Sequence, residues 1–246
     1  MEPIYSQKFL VDNNSTDRFG RMKPSAILSY VQEVAGKHFD ILDRRADSVG
    51  QKGLFWAVIR HRVQIERLPA AGETITLETW PMPTTRVAYP RSTVAYDAAG
   101  NVLFRSLCLW VLMNLDTRAM ILPGKSGICV PGTVRGLELA NPNSLMPKPL
   151  MHVQRRTVRY SHLDVNGHMN NTHYMDWVED LLPSPFHENC PAHDFTVCYH
   201  AEATEGQNLD LHWELLEGGI LQVDAYKENP EDPARPGRAF SVQVLY

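Results

Sequence analysis

The chain has 246 residues with 24 Lys and Arg against 28 Asp and Glu, a net charge of -4, and 43% hydrophobic residues. This composition is typical of one large or two ordinary globular domains, and it disfavours nucleic acid as the main partner. No run approaches the roughly 18 apolar residues of a membrane-spanning helix, so no membrane insertion is expected.

The N-terminal stretch MEPIYSQKFLVDNN has neither the apolar core of a signal peptide nor the Arg- and Ser-rich composition of a transit peptide. A chain processed from a longer precursor would give the same sequence. The four cysteines are too few for a disulfide scaffold of this size and indicate reduced thiols. Together these features predict a cytoplasmic protein.

The first predicted helix follows the stretch DRFGRMKP, which begins at Asp17. Apolar residues recur there at i, i+3, i+4, i+7 and i+8, which indicates a helix with one buried face. These residues are Ile27, Tyr30, Val31, Val34 and Ala35. The following stretch FWAVIRHRVQIERLPAAGETITLETW predicts a strand, a loop with Gly-Glu, and a second strand.

A Pro- and Asn-rich stretch, LANPNSLMPKPL, predicts a linker in the middle of the chain. It separates an expected N-terminal unit of residues 1–130 from an expected C-terminal unit of residues 151–246, with the linker covering 131–150.

The second half repeats the pattern of the first. When DVNGHMNNTHYMDWVEDLL is aligned on Asp164 with the stretch at Asp17, the glycine, the methionine and the apolar stripe coincide. A long apolar-faced helix needs a sheet to lie on, and each half supplies antiparallel strands. The sequence therefore predicts an α+β fold with two tandem helix-in-sheet units, a double hotdog.

The repeat serves as an internal control on the polar residues of the second copy. Asp and Gly persist in both turns, as turn chemistry requires. The polar groups confined to the second half, with their first-half counterparts, are Asn166 (Phe19), His168 (Arg21) and Glu202 (Leu68). Because the fold does not require these three groups, their joint presence favours a functional site in one half.

These residue types suit attack of water on a carbonyl. Glu202 can deprotonate the water, Asn166 can hold the water or the carbonyl, and His168 can donate a hydrogen bond or a proton. A helix entered at Gly167–Met169 would offer the backbone N–H groups of Gly167, His168 and Met169 to an oxyanion, with Asp164 orienting the site. Taken singly, each side chain is also explained as a turn, cap or surface residue.

Four further residues, Cys190, His193, Cys198 and His200, resemble a metal-ligand set. Their spacing lacks the usual long loop between ligand pairs, and FTVCYH reads as a strand. We therefore expect no metal and no cofactor.

At these residues the sequence resembles the acyl-acyl carrier protein (acyl-ACP) thioesterases, over nearly the whole chain. DVNGHMNNTHYMDW resembles their Asp-x-Asn-x-His-x-Asn-Asn signature, and YHAEATEG resembles their catalytic strand end. The resemblance implies hydrolysis of a fatty-acyl thioester on acyl carrier protein, within fatty acid biosynthesis. It puts Asp164, Asn166, His168 and Glu202 in catalytic places and the acyl chain in the first unit. Plant members carry a Cys where this chain has Ala203, which favours direct attack by water.

Other activities remain open from the sequence. An acyl-CoA thioesterase, a hydratase or dehydratase, and a non-catalytic acyl-thioester-binding protein would all suit the same fold. The number of subunits is also open, and a homodimer is one alternative.

A group of arginines precedes the Asp164 turn in VQRRTVRY. Acyl carrier proteins are acidic, so docking on an acidic chain needs a local basic patch. Arg155, Arg156 and Arg159 are the predicted patch, with Arg155 and Arg159 expected on one face of a strand.

Overall fold

Antiparallel strand pairing organises both halves of the chain in the computed structural model, which describes residues 3–43, 49–228 and 237–246. The chain divides into two units, Met1–Pro142 and Asn143–Tyr246. The division falls inside the stretch 131–150, and the predicted limits of the domains on either side stay a prediction. No helix in the described part of the chain is long and apolar enough to span a membrane.

The first unit is a sheet with the strand order β1-β3-β4-β5-β2, all neighbours antiparallel, and β6 paired with β5. The strands are β1 (Tyr5–Leu10), β2 (Leu54–Ile65), β3 (Thr74–Pro81), β4 (Tyr89–Tyr96), β5 (Val102–Asn114) and β6 (Met120–Ile121). The helices are α1 (Pro24–Asp43), which contacts β3, and the short α2 (Pro123–Ser126).

The second unit has the strand order β8-β11-β10-β9-β7, again antiparallel throughout. The strands are β7 (His152–Thr157), β8 (Asp194–Tyr199), β9 (Asn208–Leu216), β10 (Ile220–Lys227) and β11 (Gly237–Leu245). The helices are α3 (His173–Glu179) and α4 (Ser184–Asn189). The ring of Tyr174 in α3 lies 4.5 Å from that of Phe240 in β11, so α3 packs on the sheet. The predicted α+β antiparallel fold is confirmed.

The two helices differ in length, and the prediction of a long helix in each unit is wrong for the second. Helix α1 has 20 residues, whereas α3 has seven. Beyond Glu179 the backbone closes tighter bonds, from Leu181 N–H to the Val178 carbonyl and from Leu182 N–H to the Glu179 carbonyl. Pro183 follows and cannot donate to a continuing helix.

The apolar stripe of α1 is confirmed with one exception. Ile27, Val31, Val34 and Ala35 are buried. Tyr30 is only half-buried; its hydroxyl hydrogen-bonds Ser15 at 3.0 Å and its ring stacks on that of Phe9 at 4.8 Å.

One buried histidine in the first unit makes stability depend on pH. His61 of β2 places Nε2 2.6 Å from Ser106 Oγ, and burial lowers the pKa of its imidazole from 6.5 to about 3. Between pH 6.5 and about 3, His61 is therefore protonated in the unfolded chain and neutral in the native state. The contribution of His61 to the free energy of unfolding therefore falls as pH drops from about 6.5 towards 3.

We predict that lowering the pH from 7 to 5 decreases the free energy of unfolding by about 2 kcal/mol through the protonation of His61 in the unfolded chain. Urea unfolding at both pH values measures the loss, and His61→Gln, which can still bond Ser106, should remove most of it. An equal acid dependence in the variant and in the original chain would contradict the role of His61.

Candidate active site

A carboxylate-centred turn precedes the helix in the first unit. Asp17 Oδ1 accepts the backbone N–H groups of Phe19 and Arg21 at 2.8 and 2.9 Å. The Asp17 carbonyl accepts the N–H of Gly20, whose φ of +73° lies in the left-handed region that glycine adopts without strain. Met22 N–H then bonds the Pro69 carbonyl, which ties the turn to the loop before β3.

The second unit repeats this turn bond for bond. Asp164 Oδ1 accepts the N–H groups of Asn166 and His168 at 2.8 and 3.2 Å, and its carbonyl accepts that of Gly167, whose φ is +76°. Met169 N–H bonds the Ala203 carbonyl at 2.8 Å. The sequence repeat is therefore a repeat of local structure.

The side chains carried by the two turns differ. In the first, the Arg21 guanidinium returns to Asp17 Oδ2, with Nε at 3.1 Å and Nη2 at 3.0 Å. In the second, His168 Nε2 instead lies 3.3 Å from Oε2 of Glu202, and Asn166 Nδ2 lies 3.4 Å from Asp164 Oδ2. The structure thus brings the four predicted catalytic side chains into one cluster.

The cluster is open to solvent on its carboxylate side. The side chain of His168 is 18% exposed, whereas that of Glu202 is 45% exposed, and Asn166 is exposed. A water molecule or a substrate can therefore reach Glu202 directly. The Glu202 carbonyl accepts a bond from Lys227 Nζ at 3.2 Å, which connects the loop after β8 to the end of β10.

The predicted backbone oxyanion site at Gly167, His168 and Met169 does not match the hydrogen bonding. Gly167 N–H donates to the Asp164 carbonyl, His168 N–H to Asp164 Oδ1, and Met169 N–H to the Ala203 carbonyl. The expectation that a helix is entered here is also wrong, because α3 begins only at His173. All three N–H groups thus serve the turn and not a helix end.

The Asn170 side chain bonds the residue that precedes α3. Its Oδ1 accepts the N–H and the hydroxyl of Thr172, both at 3.0 Å, which forms an Asx-turn just before α3, whose own cap Thr172 has no side-chain capping bond. This bond fixes the chain between the turn and the helix.

Sequence reasoning missed that the Tyr174 hydroxyl is influenced by the charges of the predicted site residues. Its side chain is buried, and burial raises the pKa of its hydroxyl, with the negative charges of Asp164 and Glu202 raising it further. The phenol therefore stays protonated. The sequence placed Tyr174 in the apolar stripe, and only its hydroxyl distinguishes it from a core residue.

The predicted basic patch divides in the structure. Arg155 forms two bonds to Asp210, at 2.7 and 2.8 Å, and lies 3.5 Å from Glu228, while Arg156 Nη2 lies 3.4 Å from Asp180. Strand β7 ends at Thr157, so the expectation that Arg159 shares a strand face with Arg155 is wrong. Docking of a carrier at these arginines stays a prediction.

The residues considered as metal ligands have other neighbours. His200 Nε2 lies 2.9 Å from Ser241 Oγ, and the Cys198 thiol donates to the Asn143 carbonyl at 3.8 Å. Within residues 3–43, 49–228 and 237–246, no group of three or more His, Cys, Asp and Glu is arranged to hold a metal ion.

Two family models match the chain. The acyl-ACP thioesterase N-terminal domain matches residues 2–122, and the acyl-ACP thioesterase C-terminal domain matches residues 148–232. The chloroplastic dodecanoyl-[acyl-carrier-protein] hydrolase of Cinnamomum camphora is 29% identical over 194 residues, covering 73% of this chain and 51% of that protein. The chloroplastic oleoyl-acyl carrier protein thioesterase 2 of Arabidopsis thaliana is 24% identical over 225 residues, covering 84% and 61%. The chain spans about half the length of the first of these relatives.

Two solved structures share the fold over nearly the full length of both chains. An acyl-ACP thioesterase from Bacteroides thetaiotaomicron superposes with a TM-score of 0.88 at 20% identity, covering 99% of this chain and 97% of that one. The 12:0-ACP thioesterase from Umbellularia californica superposes with a TM-score of 0.82 at 22% identity, covering 100% and 97%. These similarities show the hotdog-type fold.

The two turns make a matched pair for a stability test. Asp17→Ala and Asp164→Ala each remove one carboxylate oxygen that accepts two backbone N–H groups, so each should lower the free energy of unfolding by about 1–2 kcal/mol. Asp17→Ala should cost roughly 0.5 kcal/mol more, because it also breaks the Arg21 ion pair. Urea denaturation measures both values, and the difference should vanish when Arg21→Ala is the background. A larger loss for Asp164→Ala would contradict this account of the turn.

Proposed function

The chain belongs to the acyl-ACP thioesterase family, and from that premise we propose that it hydrolyses a fatty-acyl thioester carried on acyl carrier protein. The products are the free fatty acid and the carrier thiol. One observation supports this most: of two structurally equal turns, only the second carries Asn166 and His168, and only there does the loop opposite supply Glu202.

The proposed chemistry is attack by water. Glu202 accepts a proton as the water oxygen adds to the thioester carbonyl carbon. The tetrahedral intermediate then expels the thiolate, which takes up the proton as the carbon–sulfur bond breaks. The His168 imidazole, 3.3 Å from Glu202, holds the carboxylate in place and can relay that proton.

The oxyanion is assigned to a side chain, since the neighbouring backbone N–H groups are engaged within the turn. The Asn166 amide has two N–H donors, of which one is directed at Asp164. The second can donate to the oxygen of the tetrahedral intermediate. Asp164 then acts by orienting Asn166 and by fixing the backbone that carries His168.

The position after Glu202 supports water over a thiol nucleophile. Ala203 is buried, and its carbonyl holds Met169. A side chain without a reactive group there cannot form an acyl-enzyme at that position, which favours direct attack by water on the thioester carbonyl.

The first unit is proposed to house the acyl chain, with acyl carrier protein as the partner and the cytoplasm as the location. The reduced cysteines expected from the sequence agree with that compartment. A homodimer stays a prediction.

Replacing Glu202 by its first-half counterpart tests the mechanism. Glu202→Leu should lower kcat on acyl-ACP at least about 100-fold, because the general base is lost. Release of carrier thiol reports the rate. The matched control is Leu68→Ala in the first unit, which should leave the chemistry intact. Full activity in Glu202→Leu would refute the assignment of the base.

Removal of metal tests the cofactor-free mechanism. We expect the rate of thiol release to be unchanged after incubation with EDTA, because no proposed step uses a metal. Loss of activity that Zn²⁺ restores would contradict this mechanism and would support a metal site formed by Cys190, His193, Cys198 and His200.

A further inference from the structure

The strip of residues 159–165, which leads into the Asp164 turn, exposes apolar side chains to an unusual degree. Tyr160 is 81% exposed, and Val165, between Asp164 and Asn166, is fully exposed at 102%. Single exposed apolar residues are common, but here two occur within six residues, at the entrance to the proposed catalytic cluster.

The first unit shows that the fold does not require them. The first-unit residues equivalent to Arg159, Tyr160 and Val165 are Asp12, Asn13 and Arg18. The same short 3-10 turn forms there, and Asp12 Oδ1 accepts the Ser15 N–H at 2.8 Å. In the second unit the turn over Tyr160–His162 closes differently, because Arg159 N–H donates to His162 Nδ1 at 3.0 Å. Polar residues thus suffice for the turn, and the second copy has replaced them with a cation, an aromatic ring and a branched apolar side chain.

The cation of this strip differs from its two neighbours. Arg155 and Arg156 have carboxylates at ion-pair distance, namely Asp210 and Asp180. Arg159 is exposed and, in the described part of the chain, has no carboxylate within ion-pair distance. Its charge is therefore available to an outside anion.

We propose that Arg159, Tyr160 and Val165 form the surface along which the phosphopantetheine arm of the carrier lies. Arg159 pairs with the phosphodiester, while Tyr160 and Val165 cover the dimethyl-substituted carbon of the arm. The inference rests on the proposed function, because it presumes that the thioester at the end of this arm reaches Glu202. The arm is the partner that the chemistry fits, with one anion followed by a branched apolar group.

Substrates that shorten the arm stepwise separate these contacts. The same acyl group is offered on the carrier, on phosphopantetheine, on pantetheine without phosphate, and on N-acetylcysteamine, which has neither phosphate nor dimethyl carbon. Arg159→Gln should raise KM about tenfold for the first two substrates, leave kcat unchanged, and not alter the last two. Tyr160→Asn and Val165→Ser should raise KM severalfold for every substrate except the N-acetylcysteamine thioester.

Arg18→Ser, at the first-unit position equivalent to Val165, is the matched control and should behave as the original chain. Unchanged KM values in all three second-unit variants would overturn the inference, as would equal losses on the N-acetylcysteamine thioester, which would indicate a damaged turn. A Tyr160→Asn variant that dissociates a dimer without changing KM would assign the surface to a second copy instead. If the original chain hydrolyses none of the four thioesters, the proposed function itself fails.

Discussion

The hydrogen bonds from two backbone N–H groups to one oxygen of Asp164 determine the geometry of everything near the site. They set the direction in which Asn166 and His168 leave the backbone, and Gly167 closes the same loop with a positive φ. Met169 N–H is then bonded to the Ala203 carbonyl. Because Glu202 precedes Ala203 and His168 precedes Met169, this backbone bond brings Glu202 close to His168. The contact between the two titratable side chains thus depends on main-chain hydrogen bonds more than on their own attraction.

The duplicated unit separates the residues that the turn requires from those that the proposed reaction requires. The Asp17 turn has the same bonds and the same glycine, yet there the second carboxylate oxygen is occupied by Arg21, and Leu68 stands opposite. In the second turn, within the residues that the structure describes, that oxygen accepts a long bond of 3.4 Å from the Asn166 amide, which leaves the amide capable of turning to a ligand. The first copy carries an ion pair between Arg21 and Asp17, whereas the second carries the Asn166 amide beside Asp164 and the His168 imidazole beside Glu202.

Sequence periodicity predicted the antiparallel units and the buried face of α1, because both follow from which residues avoid water. It overestimated α3, since the stripe through Leu181 reports burial and cannot distinguish a helix from the tighter turn that follows Glu179. Pairing of Asp164, Asn166, His168 and Glu202 could be anticipated from the repeat. The hydrogen bond of the Met169 N–H could not be anticipated, because its acceptor is the carbonyl of Ala203, 34 positions further along the chain. The ionisation of Tyr174 likewise depends on neighbours that only the fold supplies.

The ion pair in the first turn also bears on how the two halves can diverge. A histidine in place of Arg21 would have a leucine, Leu68, at the position equivalent to Glu202, while a glutamate in place of Leu68 would be combined with an arginine already bonded to Asp17. Neither substitution alone creates the pair of titratable groups seen at His168 and Glu202, and each disturbs a packed or paired neighbour. If the second turn has the proposed role, a chain with only one of these two substitutions gains no catalytic pair, so the difference between the two halves is hard to reverse by single mutational steps.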